Sequence, residues 1–84
     1  MKIEEVVFKL IEKEIENIGI RLYEVKYEKE GNINFLRVII DKDTFINVDD
    51  CVNVTKIINP ILDEKNIIEE SYILDVCSKE KESE

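Results

Sequence analysis

The densest set of potential metal ligands lies at residues 41–52, where four carboxylates and one asparagine fall within twelve residues. Such oxygen ligands suit Ca²⁺, and Asp41 and Asp43 occupy the first and third positions of a calcium-binding loop. The match then fails, because Ile46 stands where the loop needs glycine and Val52 where it needs a bidentate glutamate. We therefore expect no metal ion here. We interpret the acidic residues at the end of the segment as charges that stabilise the N-terminus of a helix.

The chain has two cysteines, Cys51 and Cys77, and no histidine to act on them. Histidine is the commonest general base, and no Cys-x-x-Cys spacing is present, so no group that would activate a thiolate is visible. Cys51 falls on the apolar stripe of a predicted helix, where we expect it to be a small core residue. No signal peptide precedes the cysteines, so both are expected to be reduced thiols. The inventory predicts neither an enzyme nor a site for a cofactor or a small-molecule substrate.

A third group of residues has the composition of an RNA-binding surface. Basic and aromatic side chains alternate along residues 21–42, and such interleaving on a sheet can bind single-stranded RNA. Three glutamates are interspersed, however, and we expect Tyr23 and Tyr27 to lie in the core. The basic residues are Arg21, Lys26, Lys29, Arg37 and Lys42.

The overall charge also argues against nucleic acid as the main partner. The net charge is −8, from 12 basic and 20 acidic residues, and such a surface repels phosphate and favours basic proteins. At 44% hydrophobic residues, the 84-residue chain is rich enough in apolar side chains to build one core. No apolar run exceeds three residues, which excludes a membrane span of about 20 residues.

Hydrophobic periodicity predicts the elements that position these residues. Residues 2–18 repeat with the period of an amphipathic helix. Gly19 is expected to end that helix in a Schellman motif, with Ile15 and Ile20 making the hydrophobic contact.

The period then changes to two, which predicts a β-hairpin over residues 22–28 and 33–41 with its turn at Gly31-Asn32. The second strand is apolar on both faces near its end, so we expect it to be central in the sheet. The core face of the first strand is predicted to carry Tyr23, Val25 and Tyr27.

A second helix is predicted over residues 48–63. Asn47 is its expected N-cap, and Asp50 completes a capping box. Pro60 has no backbone N–H, so we expect a kink or a break near Asn59.

A third strand is predicted at residues 71–77, which completes the order α-β-β-α-β. The expected fold class is α+β, a two-layer sandwich with both helices on one face of a three-stranded sheet. The third strand could lie parallel beside the second or antiparallel beside the first. We expect a single domain over residues 1–78 and a disordered charged tail over residues 79–84. The order is similar to that of bacterial-type KH domains, but the GXXG loop that clamps RNA is absent.

Five segments, taken together in their order along the chain, resemble the N-terminal domain of the ribosome maturation factor RimP family. The resemblance covers residues 3–78. The segments are Gly19-x-x-Leu22-Tyr23-Glu24-Val25-x-Tyr27, Leu36-Arg37-Val38-x-Ile40-Asp41-Lys42, Ile46-x-Val48-Asp49-Asp50-Cys51-Val52-x-Val54-Thr55, Ile61-Leu62-Asp63 and Tyr72-Ile73-Leu74-Asp75-Val76-Cys77-Ser78.

The resemblance implies a cytoplasmic assembly factor that binds the free small (30S) ribosomal subunit during its maturation. It implies contact with a basic ribosomal protein near the decoding region, and it leaves room for contact with ribosomal RNA. The residues carried over as a partner-binding surface are Asp41, Lys42, Asp49 and Asp50; the alternative is that they cap and order the loop before the second helix.

The sequence departs from the family pattern in two places. Ile67-Ile68-Glu69-Glu70 replaces a Pro-x-Pro-Gly stretch before the third strand. The small β-barrel domain that follows in the family has no counterpart, so we expect the second domain to be missing. Two other functions stay open: a KH-like RNA-binding module, and a domain that self-associates through an exposed sheet edge.

Overall fold

Three strands and two helices make up the fold, and the computed structural model describes residues 2–79. The observed order α-β-β-α-β confirms the predicted α+β class. Of the predicted disordered tail, residues 80–84 lie outside the described residues. The elements are α1 (Ile3–Glu16), β1 (Arg21–Glu30), β2 (Ile33–Asp41), α2 (Val48–Lys65) and β3 (Ile73–Ser78).

The sheet has the order β1-β2-β3, so β2 is central, as its two apolar faces predicted. β2 is antiparallel to β1 and parallel to β3. The alternative in which the third strand pairs with the first is therefore wrong. The helix α2 provides the long crossover that parallel neighbours require.

Both helices pack on one face of the sheet, and alternation along β2 divides the two faces. Leu36, Val38 and Ile40 are fully buried in the core beneath the helices. Ile39 is also fully buried but lies outside that core cluster, on the opposite face. The helices contribute Val7, Ile11, Ile15, Val54, Ile58 and Leu62 to this core, and Ile20, Leu22, Val25 and Ile68 complete it.

A β-bulge in β1 changes which residues face the core. Leu22 pairs with Ile40 and Glu24 with Ile39, so Tyr23 is an extra residue without a partner in β2. The prediction that Tyr23 lies in the core is wrong, since the residue is 50% exposed. The bulge shifts the alternation by one position.

The helix α1 ends as its sequence predicts. The N–H of Ile20 donates to the carbonyl of Ile15 and that of Gly19 to Glu16, which is the paired hydrogen bonding of a Schellman motif. Gly19 has φ +81°, a conformation that costs glycine little. Ile15 and Ile20 are both buried, which supplies the expected hydrophobic contact.

Of the kink or break predicted near Asn59, the break is wrong, because α2 runs without interruption from Val48 to Lys65. Ile58 and Leu62 are buried on either side of Pro60. Burying two such side chains contributes about 3–6 kcal/mol, which offsets the roughly 3 kcal/mol that an interior proline costs. Core packing on both sides of the proline therefore holds one continuous helix.

Candidate partner-binding surface

The predicted site residues Asp41, Lys42, Asp49 and Asp50 lie together at one end of the domain, where β2 leads into α2. We call residues 41–52 the β2–α2 end. The strand, the connection and the first turn of the helix each contribute to it.

A capping box fixes the start of α2 within this end. The backbone N–H of Asp50 donates to Asn47 Oδ1 at 2.8 Å, and the backbone N–H of Asn47 donates to Asp50 Oδ2 at 3.0 Å. This confirms the predicted cap. It satisfies two of the N–H groups that a helix start leaves without partners.

Lys42 and Asp50 form an ion pair that ties the connection to the helix. Lys42 Nζ lies 2.9 Å from Asp50 Oδ2, and both side chains are largely shielded from solvent. The hydrogen bond from Lys42, reinforced by that from the Asn47 backbone, lowers the pKa of Asp50 below its usual value. These two residues therefore have a structural use independent of any partner.

Asp41 is bound on the other side by Arg21 at the start of β1. Arg21 Nη2 lies 3.3 Å from Asp41 Oδ2, and Nη1 lies 2.8 Å from Asp43 Oδ1. Hydrogen bonds to Asp43 and then Asp41 raise the pKa of Arg21. The Asp43 side chain nevertheless remains 91% exposed, so most of its surface is open to a partner.

Asp49 differs from its neighbour Asp50. It is exposed, and within residues 2–79 its carboxylate takes part in no described hydrogen bond or ion pair. Of the four predicted residues, Asp49 is the one whose carboxylate has no described hydrogen bond or ion pair; its charge lies in the first turn of α2, where it interacts favourably with the helix dipole.

Large apolar side chains are exposed beside these carboxylates, and the sequence reasoning missed them. Phe45 is 83% exposed and Val48 is 78% exposed. Val52 lies one helical turn after Val48, on the same face of α2, and is 42% exposed. We call Phe45, Val48 and Val52 the apolar patch. Apolar side chains with a charged rim are typical of protein interaction sites.

The available sequence signal for this patch lay in the helix periodicity. The buried residues of α2 are Val54, Ile58 and Leu62. Val48 lies six residues before Val54, and Val52 lies six residues before Ile58. Six residues are not a whole number of helical turns, so the two valines fall off the buried stripe. That offset predicts their exposure.

The sheet face away from the helices, which we call the open face, shows a different use of charge. Arg37 lies at its centre, with Nη1 2.8 Å from Glu28 and 2.9 Å from Glu30, and Nε 3.4 Å from Asp75. Its guanidinium also lies over the Phe35 ring, 4.9 Å from the centroid. Hydrogen bonds that its guanidinium donates to Glu28 and Glu30 raise the pKa of Arg37 above the usual value.

This arrangement weakens the RNA-binding alternative. Arg21, Arg37 and Lys42 were three of its five basic residues, and each is paired with carboxylates. A phosphate approaching Arg37 would have to displace three acidic side chains. Within residues 2–79, no group of three potential ligand side chains could hold a metal ion, and no helix is long and apolar enough to cross a membrane.

Comparison with known protein families gives a match over most of the chain. The family model of the RimP N-terminal domain matches residues 10–79. The chain belongs to the RimP N-terminal domain family. The matched region contains all three strands, α2 and the whole β2–α2 end. RimP proteins are ribosome maturation factors, so membership connects this RimP domain with ribosome maturation.

Proposed function

We propose that this RimP domain acts in the cytoplasm by binding the free small ribosomal subunit during its assembly. The contact is made by the β2–α2 end with a basic ribosomal protein near the decoding region. The observation that carries the proposal is the apolar patch, exposed beside Asp43 and Asp49. The domain acts by surface complementarity, without a chemical step.

The charge of the domain supports a protein partner over RNA. A net charge of −8 attracts a basic protein and repels the phosphate backbone. Charges at the rim of an interface mainly speed association and make it sensitive to salt, while buried aromatic side chains contribute most of the affinity. Phe45 is the natural anchor for such a contact, and Asp49 is a rim charge.

The predicted site residues then divide into two roles. Asp49 contacts the partner directly, Asp43 presents negative charge at the surface, and Asp41 holds Arg21 beside Asp43. Lys42 and Asp50 hold the connection against α2 and keep Phe45 and Val48 in place. Their substitution would weaken binding through the fold of the connection.

Co-sedimentation with purified small subunits and with whole ribosomes, at two salt concentrations, tests the proposal. We expect the wild-type chain to sediment with free small subunits and to be released as salt rises. Phe45→Ser should weaken binding about 30-fold or more and so sharply reduce recovery, since central aromatic anchors contribute about 2 kcal/mol or more to binding. Its melting temperature should not fall, because the side chain is already in solvent.

Ile33→Ser is the matched control. Ile33 is 48% exposed at the start of β2, at the opposite end of the strand from the proposed contact. It should sediment like wild type. Equal loss of recovery in both variants, or binding to RNA alone with the salt dependence of phosphate contacts, would overturn the proposal.

A further inference from the structure

A groove runs between α1 and β1. Its volume is about 380 Å³. Phe8, Tyr23 and Val25 are its aromatic and apolar lining residues. Glu4, Glu5 and Glu24 supply three carboxylates, whereas Lys9 is the one cation among its described lining residues.

The β-bulge is the reason that Tyr23 takes part in this groove. Without the extra residue, strict alternation would place the Tyr23 side chain either in the core or on the open face. The bulge instead leaves it half exposed beside α1. Bulges commonly re-aim a side chain at functional positions.

The Tyr23 ring already holds a cation within the chain itself. Lys79 Nζ lies 4.7 Å from the ring centroid, within the range of a cation–π interaction. A partner's ammonium group would replace Lys79 at this ring or use its other face, and half of the residue surface remains exposed.

The outer edge of β1 is partly closed to another strand. The backbone N–H of Tyr27 donates to Glu4 Oε2 at 2.9 Å, so a side chain from α1 occupies one of the edge donors. A charged side chain at a sheet edge opposes strand addition. The groove is thus suited to receive a side chain, not to extend the sheet.

We propose that this groove binds an arginine or lysine side chain on an extended, basic segment of a partner protein. The cation takes the place of Lys79 on the Tyr23 ring, with Phe8 beside it, and Glu5 and Glu24 balance its charge. The inference rests on the proposed function and deepens it. It gives the basic partner a second contact, on the side of β1 that faces away from β2.

NMR titration of the isotope-labelled full chain tests the inference directly. The probe is the peptide acetyl-Gly-Arg-Gly-Arg-Gly-amide, and its citrulline counterpart is the neutral control. The arginine peptide should shift the backbone signals of Phe8, Tyr23 and Val25, and the citrulline peptide should not. Shifts confined to the β2–α2 end, shifts spread over the whole surface, or no shifts would overturn the inference.

Variants separate the aromatic contribution from general acidity. Tyr23→Leu should weaken peptide binding about two- to fivefold, the value of an exposed cation–π contact, while Tyr23→Phe should retain it. Glu5→Gln should weaken binding about twofold, and Glu14→Gln, an exposed change on the same helix, should not. If Glu5→Gln and Glu14→Gln weakened peptide binding equally, the peptide would be held by non-specific charge attraction, and the proposal would be overturned.

The two proposals fail in different ways. If wild-type chain binds subunits but the peptide does not shift the groove signals, the groove proposal alone is wrong. If the chain does not bind subunits, the proposed function is wrong, whatever the peptide titration shows.

Discussion

The open face of the sheet and the β2–α2 end both concentrate charged residues, but they use them differently. On the open face, Arg37 is surrounded by Glu28, Glu30 and Asp75, and Ile39 beneath the same face is fully buried. At the β2–α2 end, the apolar patch, which includes Phe45, remains exposed beside carboxylates that a partner can reach. Charges that are neutralised within the domain stabilise its architecture. Exposed apolar residues beside available charge indicate an interface.

The largest effect should come from the open face, as a loss of stability. Ile39→Ala removes a fully buried side chain and should lower the free energy of unfolding by about 2–4 kcal/mol. Urea denaturation measures this, with Ile33→Ala as the exposed control on the same strand. The folded Ile39→Ala variant should still bind small subunits. If each folded molecule bound them more weakly than wild type, the open face would be part of the interface, and the difference between the two regions would not hold.

A smaller effect should appear in the pH dependence of stability at the β2–α2 end. The folded-state pKa of Asp50 is lowered from its ordinary 3.8 by Lys42 and the Asn47 N–H, so the ionised form stabilises the fold. That stabilisation is present above the unfolded-state pKa and is lost as pH falls through the lower folded-state pKa. Asp50→Asn should therefore unfold more easily than wild type at pH 7.

Acid titration of the two proteins checks the sign of this effect. The difference in stability between wild type and Asp50→Asn should shrink as pH falls below about 4. A difference that stays constant over that range would show that the Asp50 charge does not stabilise the cap.

The smallest effect should be that of Asp49→Asn, and it should appear mainly in binding. The exposed Asp49 carboxylate makes no described hydrogen bond or ion pair, so its loss should cost the fold only its interaction with the α2 dipole, about 0.3–1 kcal/mol. A rim charge contributes modestly, and we expect about twofold weaker recovery of subunits at low salt and none of that loss at high salt. Asp63→Asn, near the other end of α2, is the control for binding. A melting temperature lowered as far as that of Asp50→Asn would show that Asp49 and Asp50 both serve the fold.

Local structure was predicted well wherever neighbouring residues decide it. The Schellman ending at Gly19, the capping box at Asn47 and the limits of β2 all depend on residues close in sequence. Such motifs are closed by short-range hydrogen bonds, so composition and spacing suffice to find them.

The errors arose where packing overrides local preference. The bulge at Tyr23 has no local signal, because it depends on how β1 and β2 align over a shared core. Pro60 indicated a break, but Ile58 and Leu62 keep α2 continuous. The exposure of Phe45 depends on the path of the connection, which periodicity does not describe.

The parallel pairing of β2 with β3 has a consequence for the order of folding. Phe35 pairs with Ile73 and Ile40 with Ser78, so these contacts join residues separated by all of α2 and both of its connections. The hairpin of β1 and β2 closes over Gly31-Asn32 and can form early, whereas the β3 pairing pays the entropy of closing a long loop. During synthesis, the hairpin leaves the ribosome before β3 does, and the sheet is completed only after Ser78 has emerged.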